Sequence, residues 1–539
     1  MTDLSTITLA SSNDPYLKAE ERGWSITNST ALNSSVTLEA DVVIVGTGAG
    51  GGTAAETLSK AGLSVVLLEA GPLKTSSEFD MDERAAYADL YQEGTGRANK
   101  TGSIVILQGR SVGGSTTVNW TTSFRTPPET LQFWADKMAV TGMSVDEMAP
   151  YFQQMEERLN IQRWAMPPNP NNEQLAIAAK KLGYSWDIIH RNVKGCLNLG
   201  YCGLGCPVDA KQSMLVTTIP SALDNKAKLF HHARVERVLM EGDAVVGVEA
   251  SALTANGWER TGQTITVRAT RTILSGGGIN TPAVLLRSGV PDPHATIGKR
   301  TFLHPTTLSL AIYDKLIDPY YGAPQSVYSD HFQWQTIDTG PVNFKLEAPP
   351  MQPAFAAGFY GAMGEDLTGS MDKLAYTNCL IALMRDGFDE RSPGGWIELN
   401  DRGAPIINYD LNPYLLDGVR RAWNVMVEMQ FAAGAKTVRP AHKAARHYGS
   451  WAKAKEAIAS FPYTPFGVTV GSAHVMGGCA MGEDQTRSVV SSDGKFHHLD
   501  NLYVMDGSLF PTSIGANPQL SIYGLVLKLS TNLAAEFAA

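Results

Sequence analysis

Long apolar runs are missing: nowhere in the 539 residues do about eighteen apolar side chains follow one another, so no membrane-spanning helix is expected. Cysteine is scarce, and the 5 present are an odd number that does not read as a disulfide framework. A basic surplus is missing too. Lys and Arg number 44 against 53 Asp and Glu, a net charge of -9, with no long basic run, which excludes the electrostatic footprint of a nucleic-acid-binding protein. Residues 1–38, read as an N-terminal extension, lack the basic start and apolar block of a secretory signal. A cytoplasmic location is therefore expected, with export alongside a signal-bearing partner left open. What remains is the composition of an ordinary globular protein, 43% hydrophobic and 18% charged, long enough for more than one domain.

Val42 to Gly71 organises the rest. Val42 to Val45 is a short β-branched run stopped by glycine, which favours a buried parallel strand. Gly46, Gly48 and Gly51 follow on the spacing G-x-G-x-x-G. Gly46 permits the tight turn, Gly48 lets a pyrophosphate approach the backbone, and Gly51 lets the next helix pack close to its strand. That helix aims its N-terminal amides and positive dipole end at the phosphates. A second strand, Val65 to Leu68, ends at Glu69, a carboxylate placed to accept both hydroxyls of a ribose.

Further along, the strand Ile104 to Leu107 leads into Gly109-Arg110-Ser111-Val112-Gly113-Gly114-Ser115-Thr116-Thr117-Val118-Asn119. Paired glycines and hydroxyls suit a backbone lying against a flat or anionic ligand, and on composition alone suit a surface loop equally well. Residues 230–250 alternate as paired strands around Gly242-Asp243, and Thr264 to Leu274 runs into Gly276-Gly277-Gly278, which repeats the opening pattern of strand, glycines and helix. From about residue 303 to 460 the pattern changes to strands separated by long Pro- and Gly-bearing connections, the mark of a mainly antiparallel sheet with added helices. The chain closes on a strand, Asn501 to Met505, and an apolar helix, Ser521 to Phe537. The fold class expected is α/β, with a discontinuous Rossmann-like domain formed by residues 39–160, 215–302 and 465–539. The cysteine-containing segment 161–214 and a substrate domain, 303–464, complete it.

With these segments assembled, nearly the whole chain resembles the glucose-methanol-choline (GMC) oxidoreductases, flavoproteins that oxidise alcohols with FAD. The resemblance rests on the Gly46–Gly51 turn with Glu69, on Gly109 to Asn119, and on Gly277 to Pro282 leading to Ser288-Gly289. It rests equally on His474-Val475-Met476-Gly477-Gly478-Cys479 and on Asp506 to Pro511 with Gly515-Ala516-Asn517-Pro518. Ser123, Gly278 and Pro291 depart from the family's two signatures at their margins.

The resemblance implies FAD as cofactor. Gly46, Gly48 and Gly51 would hold its pyrophosphate and Glu69 the ribose. Arg110, Gly113, Gly114, Ser115 and Asn119 would lie along the ribityl chain and isoalloxazine, Val235 would meet the adenine, and Asp506, Gly507 and Pro518 would close the site. It places His474 at the family's catalytic histidine, the base for a hydroxyl proton while hydride passes to flavin N5, and Asn517 at the partner position that is His or Asn. An Asn there aligns the chain with sterol and long-chain alcohol enzymes rather than with two-histidine sugar oxidases, so the substrate expected is an apolar alcohol. The acceptor is open among oxygen, a quinone and a cytochrome. Cys196-x5-Cys202-x3-Cys206 could ligate a [3Fe-4S] cluster, as similar spacing does in related hexose dehydrogenases, or be free thiols. With a cluster, a sugar or polyol dehydrogenase with a small or cytochrome subunit follows. A flavin-containing lyase or isomerase is the other alternative. His190, His231, His232, His304, His497 and His498 carry no such context and read as structural.

Overall fold

In this computed structural model, residues 14–539 are described, and the first 13 residues of the N-terminal extension lie outside them. Val42, Val43 and Ile44 are wholly excluded from solvent because their strand, Val36–Val45, is interior to an eight-stranded sheet. It pairs in parallel with Val65–Glu69 on one side and with Arg260–Leu274 on the other. Two covered faces explain a continuous apolar run where a half-exposed strand would alternate. Lys228–His231 and then Ser25–Asn28 extend the parallel part beyond Val65–Glu69, so residues read as an extension supply an edge strand. Beyond Arg260–Leu274 lie the antiparallel strands Ala244–Leu253 and Ala233–Glu241, and Leu502–Val504 pairs with its end. One sheet is thus drawn from the start, middle and end of the chain. The helices Ala49–Lys60, Val145–Arg158 and Gln519–Ala538 pack together over it.

A second eight-stranded sheet has its own hydrophobic core. Its centre is antiparallel, with Thr306–Ile312 against Thr377–Met384 and the latter against Phe344–Glu347. Register decides what each face sees. Thr306 opposes Leu383, Leu308 opposes Ile381, and Lys345 and Glu347 oppose Leu383 and Ile381 from the next strand. All six therefore share one face. The alternate residues Thr307 and Ser309 face the helix Pro413–Ala432, where Thr307 accepts from Trp423 Nε1 at 3.0 Å and Ser309 donates to Gln430 Oε1 at 2.7 Å. Segment 161–214 bridges the two sheets. Its strands Ile161–Arg163 and His190–Asn192 join Thr122–Ser123 in a small sheet, while Asp187–Ile188 pairs with Val327–Ser329.

Candidate active site

A cavity of about 580 Å³ runs between the sheets, from Val235 and Trp258 at one end, past the glycine turns, to His474 and the apolar face of the second sheet. Every residue proposed from the sequence for FAD and its chemistry lines it, except Gly51 and Gly113, and the three candidate cluster cysteines lie outside it. Its floor is bare backbone. A Cβ at Gly46 would stand 2.5 Å from Ser275 O, and one at Gly114 would stand 2.8 Å from Gly48 Cα, so the two glycine turns touch main chain to main chain. Gly51 has the packing role expected of it, since a Cβ there would come within 1.9 Å of Gly46 O. The helix Ala49–Lys60 has no side-chain N-cap, which leaves its first amides for a ligand.

Three carboxylates and amides are held more firmly than their motifs suggest. Glu69 accepts from Thr47 N at 3.0 Å, Thr47 Oγ1 at 2.7 Å and Gly71 N at 2.9 Å. Thr47 Oγ1 also accepts from Gly113 N at 3.0 Å, which ties the first turn to the second. Asp506 accepts from Gly277 N at 2.7 Å, Thr281 Oγ1 at 2.6 Å and Ser508 N at 2.7 Å, joining the C-terminal segment to the helix Gly277–Ser288. Asn119 donates to Gln519 Oε1 at 2.6 Å and accepts from Thr121 N at 3.2 Å, so its side chain braces the wall. At the far end Arg110 donates to Ala70 O at 3.0 Å and to Gly257 O, and its guanidinium lies 4.7 Å from the ring centre of Trp258. Trp258 and Thr47 escape a sequence reading. Thr47 had one available signal, its place inside the G-x-G beside the strand whose partner ends in Glu69.

At the other end, Asn517 Nδ2 lies 3.5 Å from His474 Nε2 and donates to Glu347 Oε2 at 3.2 Å. Gln325 Nε2 donates to the same oxygen at 2.7 Å. Lys345 Nζ stands 3.9 Å from Glu347 Oε1 and 2.9 Å from the ring centre of Phe124. Burial, aided by the Lys345 charge, pushes His474 down to about 3, so its imidazole is neutral near pH 7. Burial also raises Glu347 and lowers Lys345 to about 7. His304, read from the sequence as structural, places Nδ1 3.0 Å from His474 Nδ1. Leu308, Met351, Phe355, Phe359, Ile381 and Leu383 form the apolar wall beside this group.

The cluster reading of the cysteines receives no support. Among the described residues no group of three or more His, Cys, Asp or Glu side chains is placed to hold a metal ion. All five cysteines are free. Cys196 packs against an apolar cluster of Trp164, Val193 and Ala323, whereas Cys202 Sγ accepts from Arg191 Nη2 at 3.6 Å. A buried lysine organises the loop. Buried Lys211 donates to Cys202 O at 2.6 Å, to Asn119 O at 3.2 Å and to Thr117 O, lashing the cysteine loop to the second glycine turn.

Comparison with known proteins agrees with this geometry. Family models described as GMC oxidoreductase match residues 87–306 and 391–525, and one described as an FAD binding domain matches residues 41–79. A GMC-type oxidoreductase of Mycobacterium tuberculosis is 29% identical over 511 residues, covering 94% of this chain and 77% of the relative. A long-chain-alcohol oxidase of Arabidopsis thaliana is 28% identical over 520 residues, covering 92% of this chain and 67% of the relative. Among solved structures, a formate oxidase variant of Aspergillus oryzae superposes with a TM-score of 0.68 at 16% identity, covering 94% of this chain and 100% of that one. That likeness speaks to fold.

Proposed function

The chain belongs to the GMC oxidoreductase family and is an FAD-dependent oxidoreductase acting on alcohols, and from that premise we propose that it oxidises an apolar alcohol to the carbonyl with His474 as the base. The observation that carries the proposal is the meeting, in one cavity, of His474 Nε2 and Asn517 Nδ2 with an apolar wall and a floor of glycine backbone. The site fits FAD on its own terms. Gly46, Gly48 and Gly114 line the groove with bare main chain, the helix beginning at Ala49 offers unpaired amides, and Glu69 lies at the end of its strand facing the same groove. Bound FAD supplies the two-electron acceptor, which a protein side chain cannot.

The chain's own residues supply the rest. The alcohol carbon chain lies along Leu308, Ile381, Leu383 and the Phe355–Phe359 pair, whose rings are 4.5 Å apart. Burying such a chain displaces water at about 25 cal/mol per Å², which rewards long aliphatic substrates over sugars. The Asn517 amide donates to the substrate oxygen and fixes its position. His474 accepts the hydroxyl proton at Nε2. Its depressed basicity keeps it unprotonated and ready near pH 7. Oxygen is the acceptor that the oxidase relatives support.

The test is a substrate series. Anaerobic mixing of the holoenzyme with primary alcohols of increasing chain length should bleach the flavin absorbance, and air should restore it. Bleaching by glucose or glycerol in preference to aliphatic alcohols would overturn the substrate reading.

A further inference from the structure

His304 has a place in this chemistry that its sequence context does not announce. It follows the strand Lys299–Phe302 and precedes Pro305, with φ at +47°, a left-handed conformation uncommon for a residue other than glycine. That backbone is clamped by one carboxylate: Asp386 accepts from Leu303 N at 3.1 Å, from His304 N at 3.2 Å and from Tyr409 OH at 2.7 Å. The strained backbone presents the His304 ring to His474, Nδ1 to Nδ1 at 3.0 Å, with His304 buried and His474 half-buried where it lines the cavity. Strain held by a dedicated partner marks a position maintained for something other than stability.

Donor and acceptor roles can be followed along the contacts. Glu347 Oε2 receives two amide groups, from Gln325 and Asn517, and a carboxylate oxygen so placed is an acceptor. The group of Asn517 that faces it is therefore the NH2, and the same NH2 faces His474 Nε2 at 3.5 Å. His474 Nε2 must then carry a lone pair. In a neutral imidazole the proton sits on the other nitrogen, Nδ1, whose neighbour is His304 Nδ1. We infer that His304 is a positioning residue that accepts the Nδ1–H of His474 and so holds the base in the one tautomer whose Nε2 can take the alcohol's proton.

The opposite arrangement, with His304 donating, would put the His474 proton on Nε2, where it would face the Asn517 NH2 donor and have no lone pair for the substrate. In the inferred arrangement the His304 proton sits on Nε2, which finds no partner among the described residues. A buried donor left unpaired is the exception in native structures and is retained where the position serves another end. The charged and titratable groups around the pair are Lys345, whose charge bears on both rings, Glu347 through Asn517, and Asp386 with Tyr409 behind the His304 backbone.

The inference rests on His474 being the base, and two measurements separate the two claims. First, NMR of the holoenzyme labelled with ¹⁵N-histidine reads the His474 tautomer without turnover. Protonated Nδ1 and bare Nε2 are expected, and a resting enzyme protonated at Nε2 overturns the inference even if His474→Ala is inactive. Full activity in His474→Ala overturns the base reading, and the positioning role with it, whatever the tautomer. Second, His304→Leu fills the space without an acceptor, whereas His304→Asn offers a carbonyl oxygen near the Nδ1 position and tolerates left-handed backbone. His304→Leu should retain FAD and lose about 10²-fold or more in kcat with KM changed by less than about threefold, and His304→Asn should recover to within about tenfold of the parent. Equal losses in the two variants, or a loss confined to KM, overturn the inference. If His304→Leu does not fold, the tautomer measurement on the parent decides.

Discussion

Gly50→Ala tests the close approach on which the cofactor groove depends. In an exposed helix this change would stabilise by about 1 kcal/mol, because glycine is a poor helix former. Here a Cβ at Gly50 would lie 1.8 Å from Met505 O and 3.1 Å from Asp506 Cα, where ordinary contact begins near 3.4 Å. The Met505 peptide cannot yield freely: its oxygen accepts from Ser275 Oγ at 2.7 Å and its nitrogen donates to Leu274 O at 3.0 Å. Breaking those two bonds costs about 1 kcal/mol each, and forcing extra volume into a packed interior costs about 1–3 kcal/mol more. After the helix gain is subtracted, a net loss of about 2–4 kcal/mol remains. Gly52→Ala, two residues on in the same helix, carries the same propensity gain and meets side-chain atoms rather than main chain, Thr218 Oγ1 at 2.8 Å and Met214 Cβ and Cγ at 2.9 Å. With no main-chain hydrogen bond broken, overpacking of about 1–3 kcal/mol less the helix gain leaves a loss of about 0–2 kcal/mol. The assay is FAD content after gel filtration together with the melting temperature by flavin fluorescence. Gly50→Ala should melt about 2 °C below Gly52→Ala and lose FAD, because Asp506 and its hold on Gly277 and Thr281 move with Met505. Equal melting temperatures, or full FAD retention in Gly50→Ala, would refute the argument.

Trp258→Ala removes the ring beneath the Arg110 guanidinium, a contact of about 0.5–1 kcal/mol at a half-exposed site, and should weaken FAD binding about two- to fivefold in a fluorescence titration, with Trp258→Phe retaining most of the affinity. Acid should destabilise the protein in a defined window. His474 and His231 are pushed by burial to about 3 and about 4, below the unfolded value of about 6.5, so the unfolded chain binds more protons. Stability is then fully present above about pH 6.5 and falls by up to about 1.4 kcal/mol per pH unit for each histidine as the pH drops. Asp386, raised by burial to about 6, works in the opposite direction between about pH 6 and 4, as do buried Glu347 and Asp506, but burial also lowers His232, His304, His442, His447 and His497, so the histidines outweigh the carboxylates. Urea midpoints measured from pH 7 to pH 4.5 should fall steadily, and a flat or rising trend would contradict the burial of these rings.

Much of this was legible because it is local and repetitive. Gly46 and Gly114 are dictated by main chain passing within a side chain's radius, and only one residue type satisfies that demand. The buried strand Val42 to Val45 declares itself by its apolar run and the paired strands of residues 230–250 by their alternation. Partnerships were not legible. His304 and His474 are 170 residues apart, and neither the left-handed backbone nor the Asp386 clamp that joins them leaves a mark in the order of residues. The same holds for Gln325, Glu347 and Asn517, which meet only because one sheet's register turns Glu347 toward the C-terminal segment. Cysteine spacing left two readings open for a related reason. The path of that loop is held by buried Lys211, which ties it to Thr117 and Asn119, and no spacing announces that tie. Asp506 and Asn119, expected to face the cofactor, line the cavity but use their polar atoms chiefly to hold the surrounding chain.

The most direct test of the account is the rate of flavin bleaching when the holoenzyme and its His474→Ala variant are mixed anaerobically with a long-chain primary alcohol. The account predicts that both proteins carry yellow FAD and that the variant is reduced about 10²–10⁴-fold more slowly. Equal rates in the two proteins would contradict it.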